Sequence, residues 1–136
     1  MIKYNITHDM LDYDGRFDYE GQLYIFGADN PPVGGIPLLS TIVELASIII
    51  SAVMHADLTE SILLGETGHF VTVSVTENGD LILKVGRAEA RLNAAMYLRS
   101  IAEAYSDIRR RARVEHPNVN QYSMELEDIA PFLLKI

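Results

Sequence analysis

Apolar and polar residues alternate at the start of the chain and predict a β-strand. Ile2, Tyr4 and Ile6 are each followed by a polar residue, so one face of the strand is expected to be buried. A second alternating run is interrupted at Gly21, where we expect a bulge, and its apolar members are Phe17, Tyr19, Leu23 and Ile25. Between the two runs, Asp14-Gly15 is typical of a two-residue type I′ turn. The pattern therefore predicts an N-terminal hairpin.

A loop and an apolar helix are predicted next. The stretch from Gly27 to Gly35 has the composition of a loop, and Pro37 then opens a helix, where its missing N–H costs little. Residues 36–54 are largely apolar and carry one ordered stripe of polar residues that continues to the end of the helix: Ser40, Glu44, Ser47, Ser51 and His55. The segment approaches membrane-spanning length with a single charge. Because of the ordered stripe, and because the flanks lack a basic cluster and an aromatic belt, we expect a buried helix and no membrane span.

The segments HFVTVSV and LILKVG predict a hairpin whose register is set by its hydrophobic pattern. A two-residue turn at Asn78-Gly79 would bring Lys84 onto the face of Val73. A three-residue loop with Gly79 in the left-handed conformation instead places six aliphatic side chains on one face, in the pairs Val75–Leu81, Val73–Leu83 and Val71–Val85. We therefore predict the three-residue loop, with Val73 and Leu83 buried beneath a helix.

A second helix is predicted from Ala88 to about Arg113. Its apolar stripe has i+3/i+4 spacing and consists of Ala94, Leu98, Ile101, Tyr105, Ile108 and Ala112. The pairs Arg99–Glu103 and Asp107–Arg111 stand four residues apart and are expected to support the helix. After Pro117, apolar and polar residues alternate from Tyr122, which predicts an edge strand.

The order of strands, helix, hairpin, helix and strand lacks regular β-α-β alternation. It predicts an α+β fold in which one antiparallel sheet of about five to six strands has two long helices packed on one face. The 136 residues fit a single domain, 1–136, that can bury roughly two-thirds of its unfolded surface. We find no internal repeat and no linker.

The residue composition and the motifs of the chain limit the kinds of active site that it can form. The chain has no cysteine, which excludes disulfides and thiolate chemistry. Its four histidines show no metal-binding spacing, and we find no nucleophile elbow and no phosphate-binding glycine loop. The sequence thus predicts no cofactor and no metal, and favours a non-enzymatic protein.

The N-terminus lacks the apolar core of a signal peptide, so the cytoplasm is the expected location. The basic cluster at residues 109–113 ends a helix, where capping is favoured over nucleic-acid binding.

Negative charge is concentrated near the N-terminus. Residues 1–80 hold 12 acids and 2 bases, whereas residues 81–136 hold 7 acids and 9 bases. Five acids fall in one short stretch, interleaved with large apolar side chains: Asp9, Asp12, Asp14, Asp18 and Glu20. A calcium loop is excluded, because Met10 and Gly21 would occupy ligand positions. We interpret the five acids as a face that binds a basic protein and not nucleic acid. A merely solvated hairpin remains the alternative.

The overall plan resembles the small acidic immunity proteins of bacterial polymorphic and contact-dependent toxin systems. The resemblance rests on the N-terminal strands, the helix PLLSTIVELASIII, the hairpin FVTVSVTENGDLILKV and the long helix that follows. It implies a non-enzymatic protein that binds a cognate toxin and blocks its active site or substrate groove. The segment RRRAR departs from this plan and leaves the binding face open.

Two alternatives belong to other classes. The first is a small enzyme or ligand-binding protein with its site in the cleft between sheet and helices. Glu44 would be its first candidate residue, with a pKa raised by burial, although periodicity favours exposure on the polar stripe. The second is a structural or regulatory homodimer that uses the apolar first helix as its interface.

Overall fold

A computed structural model describes residues 1–12, 14–27, 33–55, 59–64, 69–131 and 133. Its strands and helices, in chain order, are β1 (Lys3–Leu11), β2 (Phe17–Tyr24), β3 (Val33–Pro37), α1 (Leu38–Met54), β4 (Glu60–Leu64), β5 (His69–Val75), β6 (Asp80–Val85), β7 (Ala88–Asn93), α2 (Ala94–Glu115) and α3 (Leu126–Ile129). The α+β class is confirmed.

The strands form two antiparallel sheets and not the single sheet that we predicted. The first sheet has the order β1-β2-β3 and the second has the order β4-β5-β6-β7. Between them in sequence lies α1, which contacts β2 and β3 of one sheet, β4 and β5 of the other, and also α2. A helix that is apolar on most of its surface must be covered from several sides, and two separate sheets achieve this.

Helix α1 is covered within its own chain. Nine of its side chains are buried: Leu38, Leu39, Thr41, Ile42, Val43, Leu45, Ala46, Ile49 and Ala52. The predicted polar stripe is its less buried side, since Ser40, Glu44, Ser47 and Ser51 are half-buried, and His55 forms the exposed C-cap. These nine side chains are thus covered without a second subunit, and the homodimer alternative stays a hypothesis. In the part of the chain that the structure describes, no helix is both long and apolar enough to cross a membrane.

The predicted register of the second hairpin is confirmed. Val73 pairs with Leu83, and the flanking pairs are Val71–Val85 and Val75–Leu81. Val73 and Leu83 are both fully buried. Gly79 has a φ of 83° and closes the three-residue loop.

The first hairpin has the same kind of loop, which corrects the predicted two-residue turn. A turn centred on Asp14-Gly15 would pair residue 13 with Arg16. Instead, the amide of Asp12 donates to the carbonyl of Arg16 at 2.9 Å, and Gly15 has a φ of 75°. In both hairpins the side chain of the residue just before the loop, Asp12 or Thr76, accepts the amide four residues on.

The bulge lies in β1, opposite the glycine where it was expected. Ile6 pairs with Gly21 and His8 pairs with Glu20, so Thr7 is the extra residue. At Gly21 the backbones approach so closely that a Cβ would lie 2.2 Å from the carbonyl oxygen of Asn5. Glycine is therefore required there for space.

Three local predictions were wrong. Residues 33–35 at the end of the expected loop belong to β3 (Val33–Pro37), while residues 28–32 lie outside the described residues. The first turns of the expected second helix form β7, paired with β6, and α2 begins only after Asn93, whose side chain accepts the amide of Met96 at 3.0 Å. In the tail, Tyr122 makes a single bridge with Phe17, and the helical turn α3 follows instead of an edge strand.

Candidate protein-binding site

The structure separates the five acids that the sequence assigned to one surface. Asp14 is exposed, and the side chain of Asp9 is 53% exposed. Glu20 and Asp12 are half-buried. Asp18 is completely buried, which contradicts its assignment to the acidic face. The acids therefore have different roles, although they are adjacent in sequence.

Asp18 caps the N-terminus of α1 from a neighbouring strand. Its carboxylate accepts the backbone N–H groups of Leu39 at 2.8 Å, Ser40 at 3.1 Å and Tyr19 at 2.7 Å. The helix has no capping side chain of its own, because its N-cap is Pro37. Burial raises the pKa of Asp18 to about 6, although the hydrogen bonds from the amides of Leu39 and Ser40 act in the opposite direction.

Asp12 shapes the hairpin loop. One of its carboxylate oxygens accepts the amides of Asp14 at 2.9 Å and Arg16 at 2.8 Å. Desolvation acts to raise the pKa of Asp12, but the hydrogen bonds from the Arg16 amide, the Ser123 side chain and the Asp14 amide together hold it below its usual value. The residue serves the fold of the loop and is only partly available to a partner.

Asp9 and Glu20 each contact a histidine. The histidine beside Asp9 is at the end of α2, and the one beside Glu20 is on the adjacent strand of the hairpin. Asp9 Oδ2 lies 3.0 Å from Nε2 of His116, the C-cap of α2. The carboxylate of Glu20 contacts Nε2 of His8 on the adjacent strand. Both pairs are partly exposed. Glu20 pairs with His8 and Asp9 pairs with Tyr19, so the carboxylates of Glu20 and Asp9 lie on opposite faces of the hairpin, and only Asp9 shares a face with Leu11.

An exposed apolar side chain accompanies these acids. Leu11, at the end of β1, is 66% exposed. It borders a groove of about 400 Å³ that is also lined by Phe17 and by residues 119–121 of the tail. Phe17 itself is buried and packs edge-on against Tyr19, with ring centroids 4.9 Å apart. Phe17 and Tyr19 thus pack inside as predicted, Leu11 is the exposed apolar group, and Tyr13 lies outside the described residues.

The tail fixes the hairpin in place. Phe17 donates its amide to the carbonyl of Gln121 at 3.1 Å and accepts the amide of Ser123 at 2.7 Å. The ring of His116 lies 4.7 Å from that of Phe17. The surface around Leu11 is therefore part of a firmly connected structure.

The basic cluster is largely consumed by contacts within the chain. Arg109 is nearly buried, bonds to Tyr105, Glu125 and Glu127, and stacks over the ring of Tyr122 at 4.2 Å. On the exposed side, the observed ion pairs are Arg110–Asp107 at 3.3 Å and Arg111–Glu115 at 2.7 Å. The predicted pairs Arg99–Glu103 and Asp107–Arg111 are absent from the described part of the chain. Sequence patterns missed the Arg109 network, because its members are brought together only by folding.

Glu44, the candidate of the enzyme alternative, is half-buried on the polar side of α1, and burial raises its pKa. Within the described ranges, no three His, Asp or Glu side chains are arranged to hold a metal ion. Neither observation identifies a group of residues that could act together in catalysis.

Compared with protein-family models, curated proteins and solved structures, the chain matches none of them. The resemblance to immunity proteins therefore stays a hypothesis that rests on the order of elements and on surface chemistry.

Proposed function

We propose that the protein is a non-enzymatic binding module that meets a basic protein partner through the hairpin face, defined as Asp9, Leu11 and Asp14. The observation that carries this proposal is the exposed Leu11 beside exposed carboxylates, next to a groove. Apolar anchors surrounded by charge are typical of protein interfaces, where the anchor supplies affinity and the charge supplies steering.

Preorganisation supports the same proposal. Asp18 ties β2 to α1, Asp12 sets the loop, and Phe17 connects the hairpin to the tail. A partner that binds to the hairpin face would not have to order it, so less of the interaction energy would be lost on binding. Asp18 and Asp12 thus hold the hairpin in the conformation that presents Asp9 and Asp14 at the surface.

The partner class follows from charge. The net charge of the chain is −8, and the acids are concentrated in its first 80 residues. Such a field attracts a basic protein and accelerates association at low salt. Together with the order of elements, this favours an immunity protein in the cytoplasm that binds and blocks a basic toxin domain.

The test begins with the genes adjacent to this one, among which the proposal expects a basic toxin domain. This domain is the probe, and its association and dissociation rates are measured at two salt concentrations. For Asp9→Asn/Asp14→Asn we expect association to slow several-fold at low salt, and its salt dependence to weaken. For Leu11→Ser we expect dissociation to accelerate by about tenfold. Glu77→Gln/Glu89→Gln removes the same charge from exposed positions outside the hairpin face and is the matched control. Unchanged rates in both hairpin variants would place the interface elsewhere.

A further inference from the structure

Strand β7 (Ala88–Asn93) is an outer strand of the second sheet. Among the described residues, the main contacts of β7 are with its neighbour β6 and with α2, which directly follows it in sequence. We propose that β7 pairs antiparallel with β7 of a second copy of the chain, about a two-fold axis beside Ala90. This interface uses neither α1 nor the hairpin face, and it does not rest on the proposed function.

The direction of the backbone groups in β7 follows from the turn that precedes the strand. Val85 and Ala88 pair on either side of two turn residues, of which the first, Gly86, has a φ of 61°. In a two-residue hairpin of this kind, the flanking pair exchanges backbone hydrogen bonds. The loop before β6 gives the same alternation, because the amide of Thr76 donates to the carbonyl of Asp80 at 2.8 Å and the odd-numbered residues of β6 then face β7. The even-numbered residues of β7 therefore direct their N–H and C=O groups towards β6.

The N–H and C=O groups of Glu89 and Arg91 consequently point away from β6. No hydrogen bond within the described part of the chain uses these four groups. Helix α2 begins at the end of β7 and continues to the first sheet, where the hydroxyl of Tyr97 donates to the carbonyl of Ile25 at 2.5 Å. The described helix thus does not lie along this edge, and the edge is open to another strand.

Charge selects one register for two copies of β7. Residues with outward groups must face each other across the axis, so a register that overlaps most of the strand has its axis at Glu89, Ala90 or Arg91. An axis at Glu89 or Arg91 would place like charges directly opposite, which is destabilising. With the axis at Ala90, Glu89 of each copy faces Arg91 of the other. These two pairs make four backbone hydrogen bonds across the junction.

The core-side face of β7 also matches itself in this register. Leu92 of each copy would lie beside Ala88 of the other, and both residues are half-buried. By contrast, Leu81 and Leu83 in the neighbouring strand β6 are fully buried, so the apolar cover of the sheet ends at β7. The two copies of Ala90 would meet at the axis, where a pair without hydrogen bonds brings the Cα atoms within about 4.5 Å and small side chains fit. A second copy would therefore extend the apolar cover.

The ion pairs within one copy are compatible with the same register. Glu89 lies 3.7 Å from Lys84, and Arg91 donates from Nε to Asp80 at 3.0 Å. All four side chains are well exposed, and the guanidinium of Arg91 has further donors that can reach a carboxylate across the junction. The charges would then alternate along the outer face, from Lys84 through Glu89 to Arg91 of the second copy.

This pattern is the reason to assign the edge to a second copy. Edge strands avoid pairing by a bulge, a proline or charges that repel. Strand β7 contains no proline, and its six pairs with β6 are regular. Its charges repel another β7 in the neighbouring registers and attract it in the register centred on Ala90.

The interface is limited to one strand from each copy, so the dimer is expected to be weak. Sedimentation velocity of the full chain between about 10 µM and about 1 mM measures it. Salt at about 0.15 M limits the repulsion between two chains of net charge −8 to a range of about 8 Å. Amide NMR over the same concentrations should show shifts at residues 87–93 and slower exchange of the Glu89 and Arg91 amide protons. A monomer at the highest concentration, or shifts confined to other strands, overturns the proposal.

Exchanged charges test the register. Glu89→Arg and Arg91→Glu each place like charges opposite at both pairs, so each variant alone should self-associate at least about tenfold more weakly. An equimolar mixture of the two variants should regain the association, because position 89 of one chain then faces an opposite charge at position 91 of the other. The mixture contains the same changes within each chain, so the gain isolates the contact between chains. Glu89→Arg/Arg91→Glu should associate with itself but not with the wild type.

Glu77→Arg makes the same change of charge at an exposed loop position and is the matched control. It should dimerise like the wild type, and circular dichroism checks that every variant is folded. Equal weakening by Glu77→Arg would show that net charge governs association and would overturn the pairing of Glu89 with Arg91. The proposal is also overturned if neither the mixture nor the double variant regains association, or if the double variant associates with the wild type as well as with itself.

Discussion

The carboxylate of Asp18 in β2 accepts the backbone N–H of Leu39 at the start of α1, at a distance of 2.8 Å. This contact joins the first sheet to the central helix and removes one acid from the surface. It also explains part of the acidic stretch, because Asp18 and Asp12 are needed to build the hairpin and Asp14 is not. A triple replacement of Asp12, Asp14 and Asp18 would therefore mix loss of stability with loss of binding.

Asp18→Ala is expected to lower the free energy of unfolding by about 2–3 kcal/mol, because it leaves buried amides at the start of α1 without an acceptor. Asp14→Ala, at the exposed hairpin tip, is expected to change it by less than about 0.5 kcal/mol. Urea unfolding followed by circular dichroism measures both. Equal effects of the two variants would contradict the assigned roles.

The stability contributed by Asp18 should depend on pH. Its pKa is raised from 3.8 to about 6 in the folded protein, so the folded state binds this proton more tightly than the unfolded chain does. This contribution to the free energy of unfolding increases as the pH falls from about 7 to about 4, by on the order of 2–3 kcal/mol.

In the variant Asp18→Asn, the free energy of unfolding should not show this increase as the pH falls, because asparagine does not titrate. Asp12 has a lowered pKa and loses its stabilising contribution below pH ~4 in both proteins. Urea unfolding at several pH values between about 4 and about 7 measures how the free energy of unfolding depends on pH in the wild type and in Asp18→Asn. Parallel curves for wild type and Asp18→Asn would show that Asp18 is not responsible.

Gly21→Ala is expected to destabilise the protein by about 3 kcal/mol or more, because the added Cβ would lie 2.2 Å from the carbonyl oxygen of Asn5 and 2.8 Å from Cδ1 of Leu38. Gly34→Ala in β3 is the matched control. Its Cβ would meet Gln22 Cγ at 3.7 Å, an ordinary contact, so we expect a change within about 0.5 kcal/mol. Thermal unfolding distinguishes the two, and a stable Gly21→Ala protein would show that β1 and β2 do not approach this closely.

Arg109→Met is expected to cost about 2 kcal/mol, because it leaves Glu125 and Glu127 without their cation and removes the stacking on Tyr122. The partial exposure of the two glutamates keeps this value moderate. Arg110→Met, at a largely exposed position, should cost no more than about 0.5 kcal/mol. The free energies of unfolding of the two variants test this difference, and similar losses would contradict the network.

Sequence patterns predicted the surface only in part. The exposure of Asp9 and Asp14 and the packing of Phe17 and Tyr19 followed from the alternation within one hairpin. The exposure of Leu11 and the groove beside the tail could not be predicted, because residues 119–121 come next to the hairpin only after folding. The contact between Ile2 and Ser100 of α2 is likewise a product of tertiary structure.

The sequence by itself determined the elements whose alternatives are decided locally. The register of the β5–β6 hairpin follows from loop length and from six aliphatic residues that must share a face, and the stripe of α2 follows from helical spacing. Tertiary structure decided whether Ala88–Asn93 would be helix or strand, because pairing with β6 outweighs the weak local preference of AEARLN. Tertiary structure also decided that Asp18 is buried. Alternation with Phe17 and Tyr19 predicts an exposed side chain at Asp18, and only the start of α1, 21 residues away in sequence, supplies the free amides that compensate a buried carboxylate.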